Sequence, residues 1–154
     1  MTVRVGLISD THGLLRPAVL DALRGSHYIV HAGDIGTLDI LRALETIAPV
    51  TAVRGNNDNG EWAQRLPELA VLDVGDVRIG VIHDIKCLTT DPSGMGYRAV
   101  VSGHSHHPRV SERDEVLYVN PGSAGPRRFK LPVSIGQLDV AGASVRARLI
   151  TLDA

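Results

Sequence analysis

Short apolar runs, each broken off by a block of glycine, asparagine, aspartate or histidine, constrain this chain more than any other feature. Val3–Ser9 stops at Asp10-Thr-His12, Tyr28–His31 leads to Gly33-Asp34, and Val50–Val53 ends near Gly55-Asn-Asn-Asp58. Further on, Val77–Val81 runs to His83, and Ala99-Val-Val101 runs to Gly103-His-Ser-His106. Runs of four to eight apolar residues bounded by turn residues read as buried strands. Between the first three lie helical patterns. Arg16–Arg24 has apolar spacing at Val19, Leu20 and Leu23, with Pro17 suited to a first turn and Gly25 to a C-terminal cap. A second helix is expected from about Asp39 to Ala48, capped near Thr37 and closed by Pro49. Strands alternating with helices at this spacing imply right-handed parallel β-α-β units.

The second half reads differently. Ala70–Val74 and Val77–Val81 flank Gly75-Asp76, a two-residue hairpin turn, and further strand pairs are expected over Arg109–Val119 and over Ile135–Leu152 around Ala141-Gly-Ala143. The expectation is a mixed α/β chain with a parallel first half and an antiparallel second half. No repeat, low-complexity segment or domain boundary interrupts it, so residues 1–154 are expected to form one domain.

Composition excludes several classes of function. The 16 basic and 17 acidic residues balance without a long run of one sign, which argues against a nucleic-acid groove or a membrane patch. Cys87 stands alone, the opening Met-Thr-Val-Arg-Val lacks a signal peptide's apolar core, and no hydrophobic run spans a bilayer. A cytoplasmic, non-membrane protein is expected.

The chemistry lies at the strand ends. In open α/β sheets ligands bind beyond the carboxyl ends of the strands, so five segments would converge on one crevice. Asp10/His12 and His104/His106, two apart in extended chain, are expected to be paired donors. Imidazoles with carboxylates, an amide oxygen and no thiolate suit Mn, Fe, Zn, Co or Ni better than an all-oxygen Ca site or a thiolate-rich Zn site. Seven donors exceed one tetrahedral site and suit two ions about 3.5–4 Å apart sharing a carboxylate, for which Asp34 is the choice.

The ordered blocks Asp10-Thr-His12, Gly33-Asp34, Gly55-Asn56-Asn57-Asp58, His83 and Gly103-His104-Ser105-His106 resemble those of the calcineurin-like metallophosphoesterase superfamily. The short length and Val119-Asn-Pro-Gly-Ser-Ala-Gly-Pro-Arg127 resemble its small single-domain phosphodiesterases, the YfcE-like group. The resemblance implies a two-sheet β-sandwich flanked by helices, and two divalent metal ions, Mn first. By it, Asp10, His12 and His106 would hold one ion, Asn56, His83 and His104 the other, and Asp34 would bridge them. It also implies hydrolysis of a small phosphodiester or nucleotide by a metal-bridging hydroxide, with Asp34, Asn56, Asp58 and His104 as the catalytic set. Asn57, His107 and Arg127 are the candidate substrate contacts, and Asp58 is expected to orient its block. A homo-oligomer is expected among such small proteins.

Two departures from the family pattern matter. Where the superfamily commonly has Gly-Asn-His-Asp, this chain has Asn57, and asparagine has no useful proton to donate at neutral pH. Diesters with good leaving groups are therefore the expected substrates. The small subgroup usually reads His-Gly-His after the fourth strand block, whereas here Asp84-Ile85 follows His83. Asp84 would either orient a ligand or add a donor, and the glycine-containing segment Lys86–Tyr97 is a place for substrate selection.

Ordinary explanations suit several other residues. His31 is expected to pack or hydrogen-bond near the site, His27 to lie on the surface, Cys87 to be a small buried residue, and Trp62 either to anchor packing beside the third block or to offer a partner surface. Three rival functions would leave different marks on the same residues. A silent protein-binding scaffold, like the retromer subunit that resembles this family, would be marked by lost ligands, and all seven are present. A metallo-β-lactamase signature continues with Asp-His where this chain has His107-Pro108. A protein serine/threonine phosphatase needs a larger domain.

Overall fold

The computed structural model describes residues 1–128 and 130–153. Among the described residues, ten strands form two five-stranded sheets. The first contains β1 (Val3–Ile8), β2 (Tyr28–His31), β3 (Val50–Ala52), β9 (Val133–Ala141) and β10 (Ser144–Leu152), in the order β10-β9-β1-β2-β3. The second contains β4 (Leu69–Val74), β5 (Val77–Ile82), β6 (Tyr97–Val101), β7 (Arg109–Arg113) and β8 (Val116–Asn120), in the order β4-β5-β6-β8-β7. Helices α1 (Pro17–Leu23) and α2 (Leu38–Glu45) connect the first three strands, and a single turn, α3 (Glu61–Gln64), follows β3.

Alternation along the strands creates two cores from adjacent residues. Leu7, Val30, Ile79, Val81, Ala99 and Val101 fill the space between the sheets, while Ile8, Ile29 and Ile135 face the other way to pack with Val19, Leu23, Leu41 and Leu44 of the helices. This double burial explains why the early strands read as continuous apolar runs. Trp62 packs against the helix-side layer, as expected of an anchor.

The expected parallel first half is present, since β1 pairs with β2 and β2 with β3 in parallel. The expectation of an antiparallel second half is corrected. β4–β5, β7–β8 and β9–β10 are antiparallel, but β6 pairs in parallel with both β5 and β8. Helix α2 also ends three residues before Ala48. Thr46 turns its hydroxyl onto the Ala43 carbonyl at 2.6 Å, and its N–H bonds to the same carbonyl, which closes the helix early. Among the described residues no helix is long and apolar enough to cross a membrane.

Candidate metal centre

The carboxyl ends of β1, β2 and β3 in one sheet and of β5 and β6 in the other meet at one end of the sandwich. Two donor groups form there. Asp10, His12 and His106 make one, and Asp34, His83 and His104 the other, with one potential ligand atom from each residue lying within 4.8 Å of the others in its group. Asp34 Oδ2 stands 3.3 Å from His83 Nε2 and 3.7 Å from His12 Nε2, so one carboxylate oxygen touches both groups. Asn56 joins the second group through Oδ1, 2.9 Å from His83 Nε2.

The backbone at these positions is unusual. Asp10, His12, Asp34, His104 and His106 all have φ between 46° and 69°, the left-handed region that non-glycine residues rarely adopt. The extended chain expected at Asp10/His12 and His104/His106 is thereby corrected, since all four residues adopt left-handed backbone. Asp10 and His12 still share one group, while His104 and His106 enter different groups, as the resemblance implies. Two glycines let these turns close. A methyl at Gly103 would collide with the Ser9 hydroxyl and crowd Asp10 Oδ2, and one at Gly55 would strike the Asp34 backbone nitrogen and carboxylate. Because His104 is half-exposed, its backbone strain can be tested apart from packing. In metal-free protein His104→Gly is expected to be more stable than His104→Ala by about 1 kcal/mol in urea unfolding, reversing the usual order of these residues. The usual order, with glycine the less stable, would contradict a strained turn.

Hydrogen bonds fix which atoms face the centre. Asp10 Oδ2 accepts from the Ser9 hydroxyl at 2.7 Å and from the His104 N–H at 3.1 Å, leaving Oδ1 buried without a hydrogen-bond partner, 3.3 Å from His106 Nε2. His12 Nε2 is likewise buried and unpartnered. His83 Nδ1 lies 2.8 Å from the Ala32 carbonyl, to which it must donate, so Nε2 of the neutral ring points a lone pair at the oxygens of Asn56 and Asp34. Three acceptors converging in this way are reconciled only by a proton or a cation.

The ionisation equilibria of the metal-free site say the same. Burial opposes charge on Asp34 and His83, yet their mutual hydrogen bond, with the Asn57 N–H donating to Asp34, outweighs it: the Asp34 carboxyl is held below the usual range and the His83 imidazolium is favoured. A proton on Nε2 thus stands where a cation would. Burial pushes Asp10 up and His106 down, both toward neutrality, a desolvation that a divalent ion would offset. Orphaned buried donors, a thiolate-free set and a shared carboxylate all fit two divalent ions.

The sequence profile of the calcineurin-like phosphoesterase superfamily domain matches residues 3–143. The chain belongs to this superfamily. A Methanothermobacter thermautotrophicus protein named "Probable metallophosphoesterase" is 34% identical over 158 residues, covering 95% of this chain and 91% of its relative. A Methanocaldococcus jannaschii protein named as a phosphodiesterase is 28% identical over 157 residues, covering 89% and 93%. Vacuolar protein sorting 29 from Cryptosporidium parvum superposes with a TM-score of 0.84 at 22% identity, covering 99% of this chain and 92% of that one. That likeness bears out the two-sheet fold.

This member of the calcineurin-like superfamily places its remaining candidate residues in several ways. Asp58 does not offer a free carboxylate: Oδ1 accepts from the Ile35 and Gly36 N–H groups at 2.9 and 3.0 Å and Oδ2 from the Gly55 N–H at 2.9 Å, tying the third block to the turn that carries Asp34. Asn57 holds Asp34 through both its backbone N–H, at 2.9 Å, and its side-chain amide, at 3.0 Å. Asp84 Oδ2 is 3.9 Å from His104 Nε2, while Oδ1 accepts the Lys86 N–H. Arg127 is exposed, and it is neighbouring Arg128 whose charge disfavours the His106 imidazolium. His107 is exposed, with its N–H donating to the Ser105 hydroxyl. Cys87 is exposed rather than buried, a correction that follows from its place on the short 3-10 turn Ile85–Cys87.

His31 is wholly buried and neutral, as its ordinary reading requires. Burial brings its pKa down to about 3. Nδ1 accepts from the Gly33 N–H, so Nε2 carries the proton toward Thr11 Oγ1 at 3.0 Å, and Thr11 in turn donates to the Ile35 carbonyl at 2.7 Å. This chain locks the turns of Asp10 and Asp34 to each other. Ser9 and Thr11 were missed in the sequence reading, because a strand-end hydroxyl resembles ordinary turn chemistry. Asn120 is a further brace, donating to the Gly103 carbonyl at 2.9 Å, while Ser123 donates to the Asp10 carbonyl at 3.0 Å.

Proposed function

We propose that this calcineurin-like phosphoesterase is a two-metal phosphodiesterase acting on small phosphodiesters or nucleotides. The observation that carries the reading is the position of Asp34 Oδ2 between His12 and His83. Asp10, His12 and His106 would hold one ion, Asn56, His83 and His104 the other, and Asp34 would be common to both. Two divalent ions held there would supply Lewis-acid polarisation of the phosphoryl oxygens and lower the pKa of an attacking water toward neutral. Mn is the first choice of ion, followed by Ni, Co, Fe and Zn.

The chain's own residues account for the preferred substrate. Asn57 is occupied in holding Asp34 and has no proton for a departing alkoxide. Good leaving groups therefore favour turnover. Arg54, near the third block, has its charge met by Glu68 at 3.0 Å, which leaves little cationic support for a monoester dianion there.

Metal-stripped protein resupplied with Mn, Ni, Co or Zn is expected to hydrolyse bis(p-nitrophenyl) phosphate faster than p-nitrophenyl phosphate, and aryl diesters faster than alkyl ones. Folded, metal-loaded protein inert with every ion would favour a protein-binding scaffold instead, on the fold shared with vacuolar protein sorting 29.

A further inference from the structure

Two hollows draw on the short turn Ile85–Cys87, which contributes Cys87 to one and Ile85 to the other. The larger, a cleft of about 640 Å³, shares Asn56, His83 and His104 with the centre and includes Cys87 and Leu88. The smaller, about 270 Å³, is bounded by Ile85 and by side chains of β7 and β8.

The smaller hollow is electrically one-sided. Arg109, Ser111 and Arg113 alternate along β7 and so share a face, opposite Asn120 and Tyr118 of β8. His107 completes the lining, which contains no acidic residue. Among the described residues neither Arg109 nor Arg113 has a carboxylate ion-pair partner, unlike Arg54 in the larger cleft. Arg113 Cζ lies 4.9 Å from the Tyr118 ring centroid, so its guanidinium sits over another residue of the lining. The hollow also shares a wall with the centre. One loop sends His104 and His106 to the ion sites and His107 to the hollow, and Asn120 braces that loop at the Gly103 carbonyl and, at 3.1 Å, the Ser105 hydroxyl.

We infer that the hollow is a second phosphate subsite, occupied by a terminal phosphate on one arm of the diester while the scissile phosphate lies at the metal centre. Two unpaired guanidinium forks with hydroxyls and an imidazole between them match a phosphate dianion. The larger cleft, with Arg54 neutralised and Leu69, Ile82 and Leu88 in its wall, suits the uncharged organic arm. The favoured substrate class is thus a short dinucleotide carrying a terminal phosphate, rather than a cyclic mononucleotide. The inference rests on the phosphodiesterase reading. Its competitor is that the arginines merely keep an edge strand from pairing with other chains.

The test compares metal-loaded wild type with the Arg109→Gln/Arg113→Gln double variant on a dinucleotide with and without a terminal 5′-phosphate. The wild type is expected to favour the phosphorylated substrate at least about tenfold in kcat/KM, and the double variant to lower that ratio to within about twofold of one. A wild-type ratio near one, or a ratio that survives in the double variant, overturns the subsite. Failure of the wild type to cleave even bis(p-nitrophenyl) phosphate would refute the phosphodiesterase reading separately. The subsite is then judged by NMR of the arginine Nε–H signals during titration with a nucleoside 5′-monophosphate. Saturable shifts at Arg109 and Arg113 support it, and unmoved signals overturn it.

Discussion

Asp34→Ala is expected to deplete both halves of the metal centre and to lower diester hydrolysis by at least about a thousandfold, roughly 4 kcal/mol in the activation barrier. The size of the effect follows from geometry: the same oxygen approaches His12 at 3.7 Å and His83 at 3.3 Å, so its loss uncouples two sites at once. Single removal of Asn56 or His106 should instead bias the loss toward one ion. Asn57→Ala is the control, because the Asn57 N–H still donates to Asp34 Oδ1 at 2.9 Å after the side chain is gone. Metal content measured by plasma mass spectrometry, beside rates and far-UV circular dichroism, separates the cases. An Asp34→Ala protein with normal metal content and rate would remove the shared carboxylate from the account.

Saturation of the metal-free protein with its ion is expected to raise Tm by on the order of 10 °C. Binding at a thousandfold excess over Kd contributes about 4 kcal/mol, and a chain of this size gains roughly 2–4 °C per kcal/mol. The metal-free state has much to gain, since Asp10 Oδ1 and His12 Nε2 are buried without partners and five ligand positions hold left-handed backbone. Differential scanning fluorimetry with and without chelator reads the shift directly, and the Asp34→Ala protein should lose most of it. An unchanged Tm in the wild type would mean that the strained turns are held by the protein alone.

The sequence made the site more legible than the sheet that carries half of it. The seven donors stood out because each follows an apolar run and keeps polar company that a core would reject. β1 to β3 were equally clear, since helical spacing between buried strands leaves few topologies. The parallel partners of β6 were not. The crossover from β5 to β6 contains a 3-10 turn instead of a standard helix, so the alternation that announces parallel pairing is missing. The left-handed turns were hidden for another reason: aspartate and histidine were read as chemistry, and their backbone requirement became visible only when Gly103 and Gly55 were seen pressed against Ser9 and Asp34. Ser9, Thr11 and His31 act through hydrogen bonds to other residues, and such dependence leaves no periodic mark in a sequence.

Each donor group draws from both sheets: Asp10 and His12 from the end of β1 meet His106 beyond β6, and Asp34 beyond β2 meets His83 and His104 beyond β5 and β6. The sandwich therefore acts as a caliper whose jaws are the two sheet ends. Its opening is set by the aliphatic layer between the jaws, from Leu7 and Val30 on one side to Val81 and Val101 on the other. Repacking that layer is accordingly expected to change the spacing of the two donor groups without altering a single donor.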